Sequence, residues 1–177
     1  MARLAHLAHF AIFIMIILGV DPGTAITGYG VIESDGDILT MVAYGAITTP
    51  SDWQLPRRLA YIHAELTALI AQHQPTDAVV EKLFFSKNVR TALSVGQARG
   101  VALLAAEQAG LAVHEYTPLQ IKQAVVGYGR AEKMQIQQMV KVLLQLDHIP
   151  QPDDAADALA IAICHAHSAR FERLSQE

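Results

Sequence analysis

The chain has 177 residues, a length that suits one domain or one domain with a short appendage. Apolar residues make up 52% and charged residues 17%, which supplies a core and excludes a disordered, charge-rich segment. A net charge of −4 excludes a small basic protein that coats nucleic acid through bulk charge. That charge is segregated, however. The stretch from Lys82 to Lys141 holds eight basic and three acidic residues, so it carries +5 and the rest of the chain −9. One face can therefore meet a polyanion while an acidic cluster sits elsewhere. Cys164 is the single cysteine, which excludes an intramolecular disulfide and a multi-thiolate zinc site and fits a reducing, cytoplasmic setting.

Met1 to Val20 is almost wholly apolar, with Arg3 its only formal charge. A basic start before an apolar run resembles a signal peptide, but no small-x-small cleavage site follows cleanly. A membrane span needs about 20 apolar residues. His6 and His9 interrupt this run, and its last third reads as a strand entering the turn Asp21-Pro22-Gly23. The expected division is an extension over 1–14 and a domain over 15–177.

The first strand covers 16–21, where Ile16, Ile17, Leu18 and Val20 form a buried-strand run. Thr27–Glu33 and Ile38–Thr48 follow as strands two and three, joined by a hairpin turn at Ser34-Asp35-Gly36-Asp37. From Pro56, Leu59, Ile62, Leu66, Leu69 and Ile70 recur at helical spacing up to Gln74. Asp77–Leu83 reads as a fourth strand, Val89–Ala109 as a long helix, and Ala112–Tyr116 as a fifth strand. Helices around Pro118–Val126 and Glu132–Leu146 come next, and a last one runs from Asp153 to Leu174. The order predicts an α/β protein whose mixed five-stranded sheet is flanked by helices.

Five carboxylates stand out along this plan. Asp21 ends the first strand at a turn, which alone is ordinary Asp-Pro-Gly turn chemistry. Glu81 breaks the run Ala78-Val79-Val80, and an acid within a sheet costs several kcal/mol unless it is paired or binds a metal. The alternative is that Glu81 marks the solvated end of its strand. Asp153, Asp154 and Asp157 open the last helix. Capping and the helix dipole account for one or two of them, not three. Spacing alone leaves open whether Asp154 or Asp153 shares a face with Asp157. Alanines at 155, 156, 158, 160 and 162 let that helix lie close on a sheet, bringing its carboxylates toward Asp21 and Glu81. Like charges so placed call for hard cations, and oxygen-only ligands suit Mg2+ or Mn2+. Two such ions about 3.5–4 Å apart promote phosphodiester hydrolysis.

The run Ile17-Leu18-Gly19-Val20-Asp21-Pro22-Gly23, followed by Thr27-Gly28-Tyr29-Gly30-Val31-Ile32, resembles the opening of the RuvC family of bacterial Holliday-junction resolvases. Val80-Glu81-Lys82-Leu83-Phe84, Gly96-Gln97-Ala98-Arg99-Gly100-Val101, Lys122-Gln123-Ala124-Val125-Val126-Gly127 and Asp154-Ala155-Ala156-Asp157-Ala158-Leu159-Ala160 extend the likeness. It runs from Met15 to about His167, in the family's order and spacing. The resemblance implies a ribonuclease-H-like fold, a homodimer, and Mg2+- or Mn2+-dependent paired incision of four-way DNA junctions in recombination and repair, leaving 5′-phosphates. It assigns the catalytic, metal-holding carboxylates to Asp21, Glu81, Asp154 and Asp157, with two ions per site, and leaves Asp153 as a neighbour. It also implies work beside the RuvA and RuvB branch-migration proteins.

Among the DNA contacts that the resemblance implies, Phe84 meets unstacked bases, whereas Phe85 is expected in the core. Lys87, Lys122 and Lys133 complete that set, with a solvated helix face as the alternative for Lys133. Gly96 and Gly100 permit close helix approach, either to the sheet or to a second subunit. His165 and His167 flank a soft-metal hint with Cys164, but two residues apart on a helix they face different ways and read as structural. An actin-like or sugar-kinase ATP-binding domain also opens with a strand, an aspartate and glycines. It needs a duplicated domain, for which 177 residues leave no room. A binding module without catalysis would gain by losing four negative charges near phosphate.

Overall fold

The computed structural model describes residues 14–36, 38–82 and 89–175, with the backbone alone at 89–91 and 173–174. The 1–14 segment except Ile14, and the Leu83, Phe84, Phe85 and Lys87 positions, lie outside the described residues. Strands β1 (Met15–Asp21), β2 (Ile26–Ser34) and β3 (Leu39–Thr48) come first, followed by helix α1 (Leu55–His73). Then come β4 (Asp77–Glu81), α2 (Val89–Gln108), β5 (Ala112–Tyr116), α3 (Pro118–Val126), α4 (Lys133–Leu143) and α5 (Asp153–Leu174). Strand β4 stops two residues before the expected Leu83, because its ladder with β5 closes at Glu81 opposite Tyr116. No described helix is long and apolar enough to cross a membrane.

The sheet order is β3-β2-β1-β4-β5. Strand β1 is central, antiparallel to β2 and parallel to β4, which explains its apolar run on both faces. The chain leaves β1 toward one edge, through β2 and β3, and leaves β4 toward the other, through β5. The carboxyl ends of β1 and β4 thus form a switch point, where open α/β sheets build their ligand crevices.

Side-chain alternation divides the core in two. Leu18, Val20, Val31 and Val80 pack with Ile62, Leu66 and Ile70 of α1 and with Ala102 and Ala105 of α2. Ile17, Ile32 and Val79 point the other way, into a cluster with Leu159, Ile161 and Ile163 of α5 and with residues of α3 and α4. Helix α5 is therefore buried along most of its length, with its alanines at 155, 156, 158, 160 and 162 almost fully enclosed. Glycines on the strands complete this fit. A Cβ added at Gly19 would collide with the Ala158 carbonyl, and one at Gly28 with the Asp154 carbonyl. Small residues on both surfaces let backbone approach backbone, so the helix sits deep on the sheet.

Candidate active site

Because β1 and β4 are parallel neighbours, Asp21 and Glu81 leave the sheet at the same end and on the same face. Gly28 pairs with Asp21 across the β1–β2 ladder and lies beneath the Asp154 backbone. This contact sets the first turn of α5 beside Asp21. One turn later Asp157 reaches an open cavity of about 220 Å³, lined also by Asp21, Glu81, Lys122, Lys133 and Ile136. Asp154 does not line the cavity wall but lies near enough to act electrostatically on both Asp21 and Asp157. Asp153 turns outward and pairs with Lys133 at 3.2 Å.

The charges here are in conflict. Burial, followed by repulsion from Asp157, Glu81 and Asp154, pushes the Asp21 carboxyl up to about 7. Burial and then Asp157 raise Glu81, against attraction from Lys122. Burial also raises Asp157, although Lys133 binds it at 3.0 Å. Burial pulls the Lys133 ammonium down, but its bonds to Asp157 and Asp153 outweigh this and hold it above the ordinary lysine range. Among the described residues, neither Asp21 nor Glu81 has a cation within ion-pair distance. The donor set is all oxygen and underneutralised, a chemistry that fits hard divalent cations. Lys133 occupies the place of a cation on Asp157, short of what the cluster needs.

The turn behind Asp21 is fixed by Thr27, whose hydroxyl donates to the Gly23 carbonyl at 2.7 Å. Thr24 and Ser94 share a 2.6 Å hydrogen bond that ties this turn to α2. Arg99 of α2 donates from Nε to the Glu81 carbonyl at 3.3 Å and forms an ion pair with Glu115 of β5. It thereby holds the end of β4 from the opposite face. Lys122 donates to the Ala131 carbonyl at 2.9 Å, so its ammonium is anchored at the cavity wall. Neither Arg99 nor Thr24 was marked by spacing, because their partners lie far away in sequence.

Among the described residues, nothing lies within contact of a Cβ added at Gly100. Cys164 is buried, and burial pushes its thiol up to about 12, which excludes a nucleophilic role. His165 and His167 do face different ways. His167 Nδ1 lies 2.9 Å from the Ala124 carbonyl, while His165 joins Asp77, His114 and Tyr116 on the sheet. The structural reading of His165 thus missed a cluster whose other members are on strands β4 and β5.

The family model described as crossover junction endodeoxyribonuclease RuvC matches residues 17–165. A relative of that name from Heliobacterium modesticaldum is 64% identical over 154 residues, covering 87% of this chain and 95% of its own length. One from Rubrobacter xylanophilus is 61% identical over 156 residues, 88% of this chain and 87% of the relative. Among solved structures, Thermus thermophilus RuvC superposes with a TM-score of 0.83 at 35% identity, covering 89% of this chain and 97% of that one. The same protein in complex with its Holliday junction substrate gives 0.81 at 34% identity, over 89% and 96% of the two chains. The mixed sheet and its helices are accordingly a ribonuclease-H-like fold, and the chain belongs to the RuvC family of crossover junction endodeoxyribonucleases.

Proposed function

We propose that this chain resolves four-way DNA junctions by metal-dependent hydrolysis, with Asp21, Glu81, Asp154 and Asp157 holding two divalent ions, Mg2+ or Mn2+. One observation carries the reading: carboxylates from two parallel strand ends and a helix meet in one open cavity, underneutralised and flanked by lysines. Bound there, the ions supply a lowered pKa for the attacking water and neutralise the departing 3′ oxygen. Asp21 and Glu81, fixed on the sheet, set the position of the scissile phosphate relative to the rigid core. Asp157 closes the cavity from α5, and Asp154 stands one turn before it, near enough to act on Asp21 and Asp157. Lys133, bonded to Asp157 at 3.0 Å, would be free to meet a DNA phosphate with a divalent ion held by Asp157 in its place. Lys122, held by the Ala131 carbonyl rather than by a carboxylate, is a second phosphate contact on the cavity wall. Phe84 and Lys87 are assigned to base stacking and phosphate contact on the family resemblance.

Two strands of a junction are cut at near-symmetric positions, and one cavity takes one phosphate. A two-fold homodimer supplies the second cavity. Work beside RuvA and RuvB, in the cytoplasm, follows the same family logic. Residues 1–14 are proposed as an appendage that the domain does without, so their removal should leave melting temperature and cutting unchanged. The central test is cleavage of a labelled synthetic junction in Mg2+ and in Mn2+ by the wild type and by Asp21→Asn. Paired nicks with 5′-phosphates from the wild type alone, with equal junction binding by both, support the reading. Cutting by Asp21→Asn at the wild-type rate overturns it.

A further inference from the structure

Away from the cavity, the same face of the sheet carries a second group of ligand atoms. Asp77 opens β4 on the face that Glu81 ends, and His114 of β5 pairs with Val79, between them in register. His165 descends on both from α5. Four strand residues at about 3.3 Å each separate Asp77 from Glu81. Eight helical residues at about 1.5 Å each separate His165 from Asp157. The two spans match, so α5 meets β4 with a ligand-bearing side chain at each end.

Asp77, His114 and His165 each place one ligand atom within 4.8 Å of the other two. His114 Nε2 is 3.0 Å and His165 Nε2 3.4 Å from the same carboxylate oxygen. The two imidazoles stack, with centroids 4.0 Å apart and planes at 30°. The His165 side chain is 4% exposed, and its Nε2 makes no hydrogen bond. A buried polar nitrogen with no well-formed hydrogen bond is costly, and here it has only the 3.4 Å approach to the Asp77 carboxylate, beside a second imidazole. On the far side of the ring, Nδ1 lies 2.9 Å from the Tyr116 hydroxyl. That contact fixes the ring so that Nε2 faces the cluster, as the outer partner of a metal-bound histidine does. The His114 side chain, 37% exposed, leaves an open approach for an ion and a water.

We propose that Asp77, His114 and His165 form a second metal site, for a borderline-soft divalent ion of the Zn2+ class, which clamps α5 to β4 and β5. Two imidazole nitrogens and one carboxylate oxygen are the donors such an ion prefers, and they differ from the all-oxygen set at the catalytic end. The fourth position is open to water or to Glu172, two turns beyond His165 on α5 and near enough to act on it electrostatically. Burial and the neighbouring His114 lower the His165 pKa, which keeps the imidazole neutral and free to bind a metal at neutral pH.

The test uses the full chain, stripped with a chelator and titrated calorimetrically with Zn2+ in excess Mg2+, so that Mg2+ competes at the carboxylates. One Zn2+ per chain is expected, with a rise in melting temperature. His114→Gln, at a partly exposed strand position, should weaken binding at least tenfold, whereas Asp21→Asn should leave it intact. In the wild type, Zn2+ should shift the ring nitrogen resonances of His114 and His165, a readout independent of any variant. Unmoved resonances overturn the proposal, as does binding that survives His114→Gln unchanged. Binding lost in Asp21→Asn or displaced by Mg2+ assigns the ion to the carboxylates and also overturns it.

Discussion

The two ends of the α5–sheet interface are built alike and carry different titratable groups. At one end Asp21, Glu81 and Asp157 converge, and burial with mutual repulsion pushes them toward the protonated, neutral form. At the other, His165 sits against His114, and burial with that neighbour pushes it toward its own neutral form, which is deprotonated. Each end lowers its electrostatic cost by giving up charge, and each would recover that cost by taking up a cation. The ligand atoms differ: oxygen alone at the first, nitrogen with oxygen at the second. The fold places ligand-bearing side chains, and the chemistry of those side chains selects the ion.

The largest effect expected from breaking the first end is loss of cutting. Asp157→Asn should lower junction cleavage by about a thousandfold or more while leaving junction binding equal or tighter, because a charge near phosphate is removed. His114→Gln, at the other end, should leave Mg2+-dependent cutting within about threefold. Parallel cleavage and binding assays on one labelled junction read both. Equal losses from the two variants would mean that the ends are not independent.

Gly28→Ala acts on the same end through packing. Its new methyl group meets the Asp154 carbonyl, so α5 must lift or tilt at its first turn. Overpacking of this kind costs about 1–3 kcal/mol. Denaturant melts should show that loss, with cutting reduced because Asp154 and Asp157 move with the helix. The contrast is Gly100→Ala on α2, where an added methyl meets none of the described residues and helix propensity improves by about 0.5–1 kcal/mol.

This pair also shows what sequence reading reaches. All ten elements were legible in order, since period-2 and period-3.6 patterns and the turn residues are local properties. Glu81 is legible because it breaks an apolar strand run, whereas Asp21 alone reads as turn chemistry and takes its role from the family resemblance. The Ala-rich face of α5 foretold close packing, but Gly19 and Gly28 as its counterpart did not declare themselves. A glycine in a strand has several uses, and only the β1–β2 register places these two under the helix. His114 was invisible for the same reason. Its role depends on the β4–β5 register and on the rotation of α5, neither of which is local. The sequence leaves Lys133 facing DNA or solvent, because its bond to Asp157 depends on how α4 meets α5.

The pH dependence of stability sharpens the comparison in the metal-free protein. The folded-state pKa of Asp21, about 7, lies above its ordinary 3.8, so the folded protein binds more protons than the unfolded chain between those values. Stability from this group therefore falls as pH rises from about 4 to about 7. For His165 the folded pKa is lowered, so its contribution has the opposite slope: stability is lost as pH falls below the ordinary 6.5. Asp21→Asn removes the first slope and leaves the second. Its melting temperature should match the wild type near pH 4 and exceed it by a few degrees at pH 8, since about 1 kcal/mol moves a domain of this size by about 2–4 °C. A gap that fails to widen with pH would place Asp21 in a solvated setting.

The smallest effect separates the two lysines of the cavity. Lys122 is held by a neutral carbonyl, whereas Lys133 is held by two carboxylates. Without bound metal, Lys133 must break those ion pairs before it can neutralise a phosphate, so counterion release at that contact is offset. Lys122 pays no such penalty. Lys122→Ala should therefore reduce the slope of log K for junction binding against log salt by about one unit, with or without divalent ions. Lys133→Ala should change the slope little in chelator and by about one unit once Mg2+ or Mn2+ has taken over Asp157. A metal-independent slope change for Lys133→Ala would show that its ion pairs with Asp153 and Asp157 are too weak to compete with phosphate. The ammonium would then face DNA from the outset, and the cation place on Asp157 would be open before any ion arrives.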